Sequence, residues 1–142
     1  MINFRNILIA AVVALSAAQS FAQSSDQHGL KWETLLNLDG KYLQDKVSTK
    51  TLAAPLKSLF GGKYSEFMDS IKVQTPMEIE NGLLIVQGMA PHSGGEYASL
   101  AFFSMSGSVL GIIRKDKDLL YFGDKKILEN PMAKEVLQSF KK

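Results

Sequence analysis

Cysteine is absent from this 142-residue sequence, which also contains only two histidines and one tryptophan. Without thiols the chain can form neither a disulfide nor a thiolate metal site, and it has no cysteine nucleophile. The two histidines, His28 and His92, do not occur in a metal-ligand spacing. We therefore expect no cofactor and no metal, and a fold held together by packing alone.

An excess of either charge is also missing, since 16 basic residues face 14 acidic ones. If Arg5 is removed with a leader, 15 basic and 14 acidic residues remain, which leaves a net charge of +1. Proteins that bind nucleic acid normally carry a strongly basic face. The balance of charge argues against a nucleic-acid partner.

The first 22 residues have the layout of a secretory signal peptide. Arg5 precedes an apolar stretch at 7–15, and small residues fill the segment up to Ala22. The apolar stretch is well short of the roughly 20 residues that span a bilayer, and cleavage after Ala22 fits the pattern of small residues before the cut. We expect residues 1–22 to be a cleaved signal peptide that leaves no membrane segment, 23–29 a flexible polar start, and 30–142 a single domain.

Helical patterning begins at about Leu30, where Trp32, Leu35, Leu36 and Leu38 share one face. A second helical region is predicted to include Tyr42, Leu43 and Val47.

A third helix is predicted at 54–60, with Pro55 in its first turn and Gly61-Gly62 as its stop. A last amphipathic helix follows Asn130-Pro131, where Asn130 would serve as the cap.

Between these helices the apolar period changes to that of strands. Ile71 to Ile79 alternates, Asn81-Gly82 is a strong hairpin signal, and 83–86 is apolar on both faces. Three further strands are predicted at 97–103, 109–114 and 119–122, separated by short turns. The sequence predicts an α+β fold, in which an antiparallel β-sheet meander is packed by N-terminal helices and a C-terminal helix.

The residues that could carry chemistry have simpler explanations in most places. The Ser104–Ser108 segment is better explained as a turn than as a nucleophile elbow, and Gly61-Gly62-Lys63 lacks the other residues of a phosphate loop. Asp116 and Asp118 alternate with lysines, which is typical of a solvated turn rather than a calcium loop. Five carboxylates in the middle of the chain could pair as in glycosidases, but the sequence does not place them together: Glu66, Asp69, Glu78, Glu80 and Glu96.

The connection from Ala90 to Tyr97 is different, because it concentrates turn residues around a histidine. Pro91 would stiffen one side, Gly94 and Gly95 permit positive φ on the other, and His92 and Ser93 lie between them. The composition alone is more typical of an ordinary exposed turn with a solvated histidine.

A family resemblance favours the functional interpretation. The segment Met89-Ala90-Pro91-His92-Ser93-Gly94-Gly95, entered from an apolar strand, resembles the active loop of the Ivy family, the periplasmic inhibitors of vertebrate-type lysozyme. In that family a Pro-His pair lies at the tip of a loop between two strands, and the His enters the lysozyme cleft. The resemblance implies a non-enzymatic periplasmic protein whose lysozyme-binding loop consists of Pro91, His92, Ser93, Gly94, Gly95 and Tyr97.

This chain departs from the family at one point. Two Cys normally flank the Ivy loop and form a disulfide, whereas Met89 and Gly94 occupy the matching positions here. The segment Ser93-Gly94-Gly95-Glu96-Tyr97 is also similar to the Ser-Gly-x-x-Tyr motif of other periplasmic lysozyme inhibitors. Both resemblances imply a lysozyme or another peptidoglycan hydrolase as the partner.

Two other functions stay open at this point. A periplasmic immunity protein against a peptidoglycan-degrading effector would have the same leader, size and loop. A carrier of small apolar ligands would instead line a pocket with Phe102, Phe103, Tyr121 and Phe122, although aromatic residues at alternating strand positions are more often core.

Overall fold

The computed structural model describes residues 30–142, so the signal peptide predicted at 1–22 and the flexible start predicted at 23–29 lie outside the described residues. The helices, numbered here in chain order, are α1 (Trp32–Leu36), α2 (Lys46–Phe60), α3 (Tyr64–Asp69) and α4 (Pro131–Phe140). The strands are β1 (Val73–Gln74), β2 (Glu78–Glu80), β3 (Leu83–Met89), β4 (Tyr97–Ser104), β5 (Val109–Lys115) and β6 (Asp118–Gly123). Short 3₁₀ turns at Gly61–Lys63 and Lys125–Glu129 precede α3 and α4.

The six strands form one antiparallel sheet, which confirms the predicted α+β class with its meander and terminal helices. From β3 to β6 each strand pairs with the next one in the sequence, while β1 and β2 pair with different parts of β3. The turn between β2 and β3 is the predicted Asn81-Gly82 pair, with φ of 50° and 75°. Two successive positive φ angles are what a tight hairpin of this kind requires.

Helices cover both faces of the sheet, so there are two buried layers of side chains. Because side chains alternate along a strand, Leu84 and Val86 of β3 face α1, α2 and α3, whereas Leu83 and Ile85 face α4. This explains why 83–86 is apolar throughout. Over the described residues, no helix is long and apolar enough to cross a membrane.

The prediction of two separate helices between Tyr42 and Phe60 was wrong at Pro55. A single helix, α2, runs from Lys46 to Phe60 with Pro55 inside it. An interior proline costs about 3 kcal/mol because it removes a helical hydrogen bond and crowds the preceding turn. The continuous apolar face offsets this cost, since Leu52, Leu56 and Phe60 are all buried and each such side chain contributes about 1.5–3 kcal/mol.

Tyr42 and Leu43 were also predicted to be helical and are not. Side chains accept hydrogen bonds from their main-chain amides: the Asp45 carboxylate accepts from the Tyr42 N–H at 3.1 Å, and the Gln74 side chain accepts from the Leu43 N–H at 2.9 Å. Asp45 itself is extended and precedes the helix. The segment before α2 is therefore a turn, fixed by groups that the helical period does not reveal.

The C-terminal helix begins as predicted. The side chain of Asn130 accepts a hydrogen bond from the Met132 N–H at 2.9 Å, and Pro131 occupies the first turn. Asn130 also donates to the main-chain oxygen of Asn81 at 3.0 Å, which ties the helix start to the β2–β3 turn. The cap therefore fixes both the beginning of α4 and its position over the sheet.

One glycine in β5 allows a helix to approach the sheet closely. A Cβ atom placed on Gly111 would lie 2.7 Å from Cε1 of Phe60 and 3.0 Å from Cδ2 of Leu59. Real Cβ atoms do not come so near to an aromatic ring. Gly111 thus provides the space into which the end of α2 packs, and Phe60 stacks there on Phe67 of α3 with ring centroids 4.2 Å apart.

Candidate functional site

The candidate site is the loop that joins β3 to β4. Met89 and Ala98 form the last pair of the ladder, and beyond them the N–H of Ala90 donates to the carbonyl of Tyr97 at 2.8 Å. Residues 91–96 extend past this bond. The loop lies at the same end of the sheet as the β5–β6 turn, because Tyr97 pairs with Lys115.

The tip of the loop exposes its histidine in an uncommon backbone conformation. Pro91 and His92 are both exposed, and His92 has φ of 60°. Gly94 and Gly95 have φ of 62° and 85°, as their sequence pattern predicts. A residue with a side chain adopts this left-handed region at a cost of about 1–2 kcal/mol, so the surrounding loop must hold His92 there.

Ser93 is half-buried between these exposed residues, and its hydroxyl is turned into the loop. It donates to the carbonyl of Ala90 at 2.8 Å, and the carbonyl of Tyr97 is a second, more distant acceptor at 3.4 Å. The same hydroxyl accepts from the N–H of Gly95 at 3.3 Å. The main-chain oxygen of Ser93 in turn accepts from the N–H of Glu96 at 3.1 Å. None of these bonds involves the His92 imidazole.

Tyr97 connects the base of the loop to the helical layer. Its hydroxyl donates to the main-chain oxygen of Glu66 in α3 at 2.9 Å, and Nζ of Lys115 lies 5.9 Å from the centre of its ring. Burial raises the pKa of the Tyr97 phenol above its ordinary value of 10.0, and the carboxylates of Glu66 and Asp69 raise it further. A hydroxyl that stays protonated keeps this bond intact at physiological pH.

Another anchor comes from the neighbouring β5–β6 turn. The N–H of Asp116 donates to the carbonyl of Glu96 at 2.8 Å, and Asp116 itself has φ of 57°. The loop base is therefore attached to α3 on one side and to this turn on the other. Glu66 and Asp116 hold the loop through their main-chain groups and not through their side chains. Their residue types therefore gave no indication of these anchors in the sequence.

Two of the five carboxylates considered as a catalytic pair form ordinary ion pairs with nearby lysines. Oε1 of Glu66 lies 2.9 Å from Nζ of Lys63, and this hydrogen bond lowers the pKa of the Glu66 carboxyl. Asp69 pairs with Lys72 at 3.2 Å. No group of three or more potential metal ligands occurs within residues 30–142.

The aromatic residues proposed to line a carrier pocket are instead part of the packed interior. Phe102 and Phe103 are buried on opposite faces of the sheet, and Tyr121 and Phe122 pack against the two cores. A groove of about 380 Å³ does open beside the loop, but none of these four residues lines it. It is bordered by Met89, Gly94, Gly95 and Arg114, and by Phe140 at the end of α4.

Fold and site together define a small α+β protein that presents a histidine on an anchored, protruding hairpin loop. A protein-family model described as inhibitor of vertebrate lysozyme (Ivy) matches residues 51–142, which is more than half of the chain and includes the whole loop. The chain belongs to the Ivy family. No curated protein and no solved structure matches it.

Proposed function

We propose that this protein is a periplasmic inhibitor of lysozyme that acts by inserting the 90–97 loop into the active-site cleft of the enzyme. The observation that carries the proposal is the exposed His92 at the tip of a hairpin, in a chain of a family described as lysozyme inhibitors. Its function is binding and not turnover, because an occupied cleft excludes the peptidoglycan strand. Residues 1–22 would direct export and be removed, leaving the domain without a membrane segment.

The chemistry of the tip suits a pair of acids. In retaining glycosidases the two catalytic carboxyl groups are about 5–5.5 Å apart, and an imidazole between them can donate to one or to both. Two acidic neighbours favour the protonated imidazole, so the hydrogen bonds become charge-assisted. Pro91 restricts the backbone on one side, and the amide of Gly94 on the other side would meet an acceptor on the wall of the cleft.

The test is a lytic assay of purified residues 23–142 against c-, g- and i-type lysozymes, with His92→Ala as the variant. Hydrogen bonds to charged groups contribute about 1.5–3 kcal/mol, so His92→Ala should raise the inhibition constant by about 10- to 100-fold. His28→Ala, the same substitution at the other histidine of the chain, is the matched control and should inhibit like the parent protein.

Two outcomes would contradict the proposal. Inhibition of a lysozyme that is unaffected by His92→Ala would remove the imidazole from the mechanism. A protein that inhibits none of the three lysozyme classes, but that captures a peptidoglycan-degrading effector of a neighbouring cell, would be an immunity protein instead.

A further inference from the structure

Ser93 differs from the other residues at the loop tip in where its polar atom points. The hydroxyl donates to the carbonyl of Ala90 on one side of the loop and accepts from the N–H of Gly95 on the other. A hydroxyl has one hydrogen to donate and two lone pairs. Its hydrogen is therefore already used at 2.8 Å, so the hydroxyl cannot donate to an outside partner without breaking a bond within the loop.

Through these two hydrogen bonds the Ser93 hydroxyl joins Ala90, which precedes His92, to Gly95, which follows it. Gly94 and Gly95 would otherwise leave this part of the chain with many accessible conformations, because both lack a Cβ. The anchors through Tyr97 and Asp116 fix the base of the loop but do not reach its tip. Within the described residues of the tip, Ser93 supplies the side-chain hydroxyl that joins the two sides.

We propose that Ser93 is a positioning residue, whose hydroxyl sets the tip in the shape that presents His92 before a target arrives, and not a residue that contacts the lysozyme. This inference rests on the proposed function, since it assigns a part within the loop that would enter the enzyme. A loop that is ordered in advance loses less conformational entropy on binding. In a chain without cysteine, this hydroxyl provides non-covalent order at the tip.

Positioning has a kinetic signature that direct contact lacks. If only a fraction of the free protein holds the competent loop, the apparent dissociation constant rises by the inverse of that fraction. The association rate falls accordingly, while the dissociation rate of the formed complex changes little. Loss of a direct contact instead mainly raises the dissociation rate and leaves the association rate almost unchanged.

The experiment compares Ser93→Ala and Ser93→Thr with the parent protein. Hydrogen exchange of the Gly95 amide is measured in the free protein, and association and dissociation rates are measured with a lysozyme that the parent inhibits. For Ser93→Ala we expect about tenfold faster Gly95 exchange and an association rate lower by about tenfold, at an unchanged dissociation rate. Ser93→Thr keeps the hydroxyl and should restore both values.

Ser106→Ala is the matched control, because it deletes a hydroxyl that bonds to Ser104 within the turn at the other end of the sheet. It should change none of the three rates, which are Gly95 exchange, association and dissociation. Faster dissociation of Ser93→Ala with unchanged Gly95 exchange would overturn the proposal and make Ser93 a contact residue. Faster exchange with unchanged binding would overturn it as well.

The exchange measurement needs no partner, so it separates this inference from the proposed function. Unchanged Gly95 exchange in Ser93→Ala refutes the positioning role even if the protein inhibits lysozyme strongly. Failure of the parent protein to inhibit any lysozyme refutes the proposed function, whatever the exchange rates are.

Discussion

Replacing His92 by Gly should make the protein more stable and at the same time inactive as an inhibitor. His92 has φ of 60°, a conformation that glycine adopts without steric cost. The imidazole is exposed at the loop tip, so its removal leaves no cavity. A side chain retained at a position of backbone strain is expected where that side chain serves binding rather than folding.

The magnitude follows from two opposing effects. The left-handed region costs a residue with a side chain about 1–2 kcal/mol, and histidine is among the residues that tolerate it best. A glycine adds freedom to the unfolded chain that is worth about 0.4–1 kcal/mol in the opposite direction. The net gain should be about 0.5–1 kcal/mol, which for a domain of this size raises the melting temperature by about 2–5 °C.

The assay is thermal and denaturant unfolding of His92→Gly, His92→Ala and Asp116→Gly, together with lysozyme inhibition. Asp116→Gly relieves a similar φ of 57° and keeps the main-chain N–H that bonds to Glu96, so it should be stabilised by a similar amount and should still inhibit. His92→Ala keeps the strain in a residue that tolerates it less well, so its unfolding free energy should be no higher than that of the parent.

Two results would refute this reasoning. If Asp116→Gly is stabilised but His92→Gly is destabilised, the imidazole makes contacts that support the folded loop. If His92→Gly is stabilised and inhibits as well as the parent, the strained histidine is not used for binding.

Three further substitutions test the packing and hydrogen bonds of the fold. Gly111→Ala should lower the unfolding free energy by about 1–3 kcal/mol in a urea titration, because the new methyl group overlaps the ring of Phe60; an unchanged midpoint would show that the helix shifts freely. Tyr97→Phe should cost about 1 kcal/mol at neutral pH through the lost bond to Glu66. Because the folded pKa of Tyr97 is raised, the parent keeps this contribution below pH 10 and loses stability as the pH rises further, and Tyr97→Phe should lose less over that range. Ser48→Ala should raise the melting temperature, since the buried Ser48 hydroxyl finds no hydrogen-bond partner among residues 30–142 and alanine is the better helix former; a lower melting temperature would mean that the hydroxyl is bonded after all.

The parts of the fold that the sequence predicted are those with a strong local signal. Asn81-Gly82 marks a turn by its own backbone preference, and the run at 83–86 indicated a strand covered on both faces. Asn130-Pro131 marks the beginning of α4 in the same local way. In each case the residues that carry the signal also form the structure.

The parts that were mispredicted depend on distant contacts. Pro55 looks like a helix start by local rules, and only the burial of Leu52 and Phe60 on one continuous face explains why α2 runs through it. The short helix α3 was not predicted at all, because it has only six residues and Phe67 is the one buried among them, which is too little for a helical apolar period.

At the candidate site, as in the fold, the sequence predicted the features with a local signal and missed those that depend on other parts of the chain. The pattern located the loop and the positive φ of Gly94 and Gly95, but the same angle at His92 was not foreseen, because a residue with a side chain seldom adopts it, histidine included. The anchors of the loop were not foreseen either, since they run to main-chain groups of Glu66 and Glu96. Such groups occur at every position, so the sequence does not distinguish them.

The central claim is that the loop around His92 fills the lysozyme cleft, and competition with an oligosaccharide tests it most directly. The affinity of the protein for a lysozyme is measured at increasing concentrations of a chitooligosaccharide that occupies the same cleft. We predict that the apparent dissociation constant rises linearly with the free saccharide concentration, and that it doubles when half of the clefts are occupied by the saccharide. An affinity that stays constant while the cleft is fully occupied would contradict it.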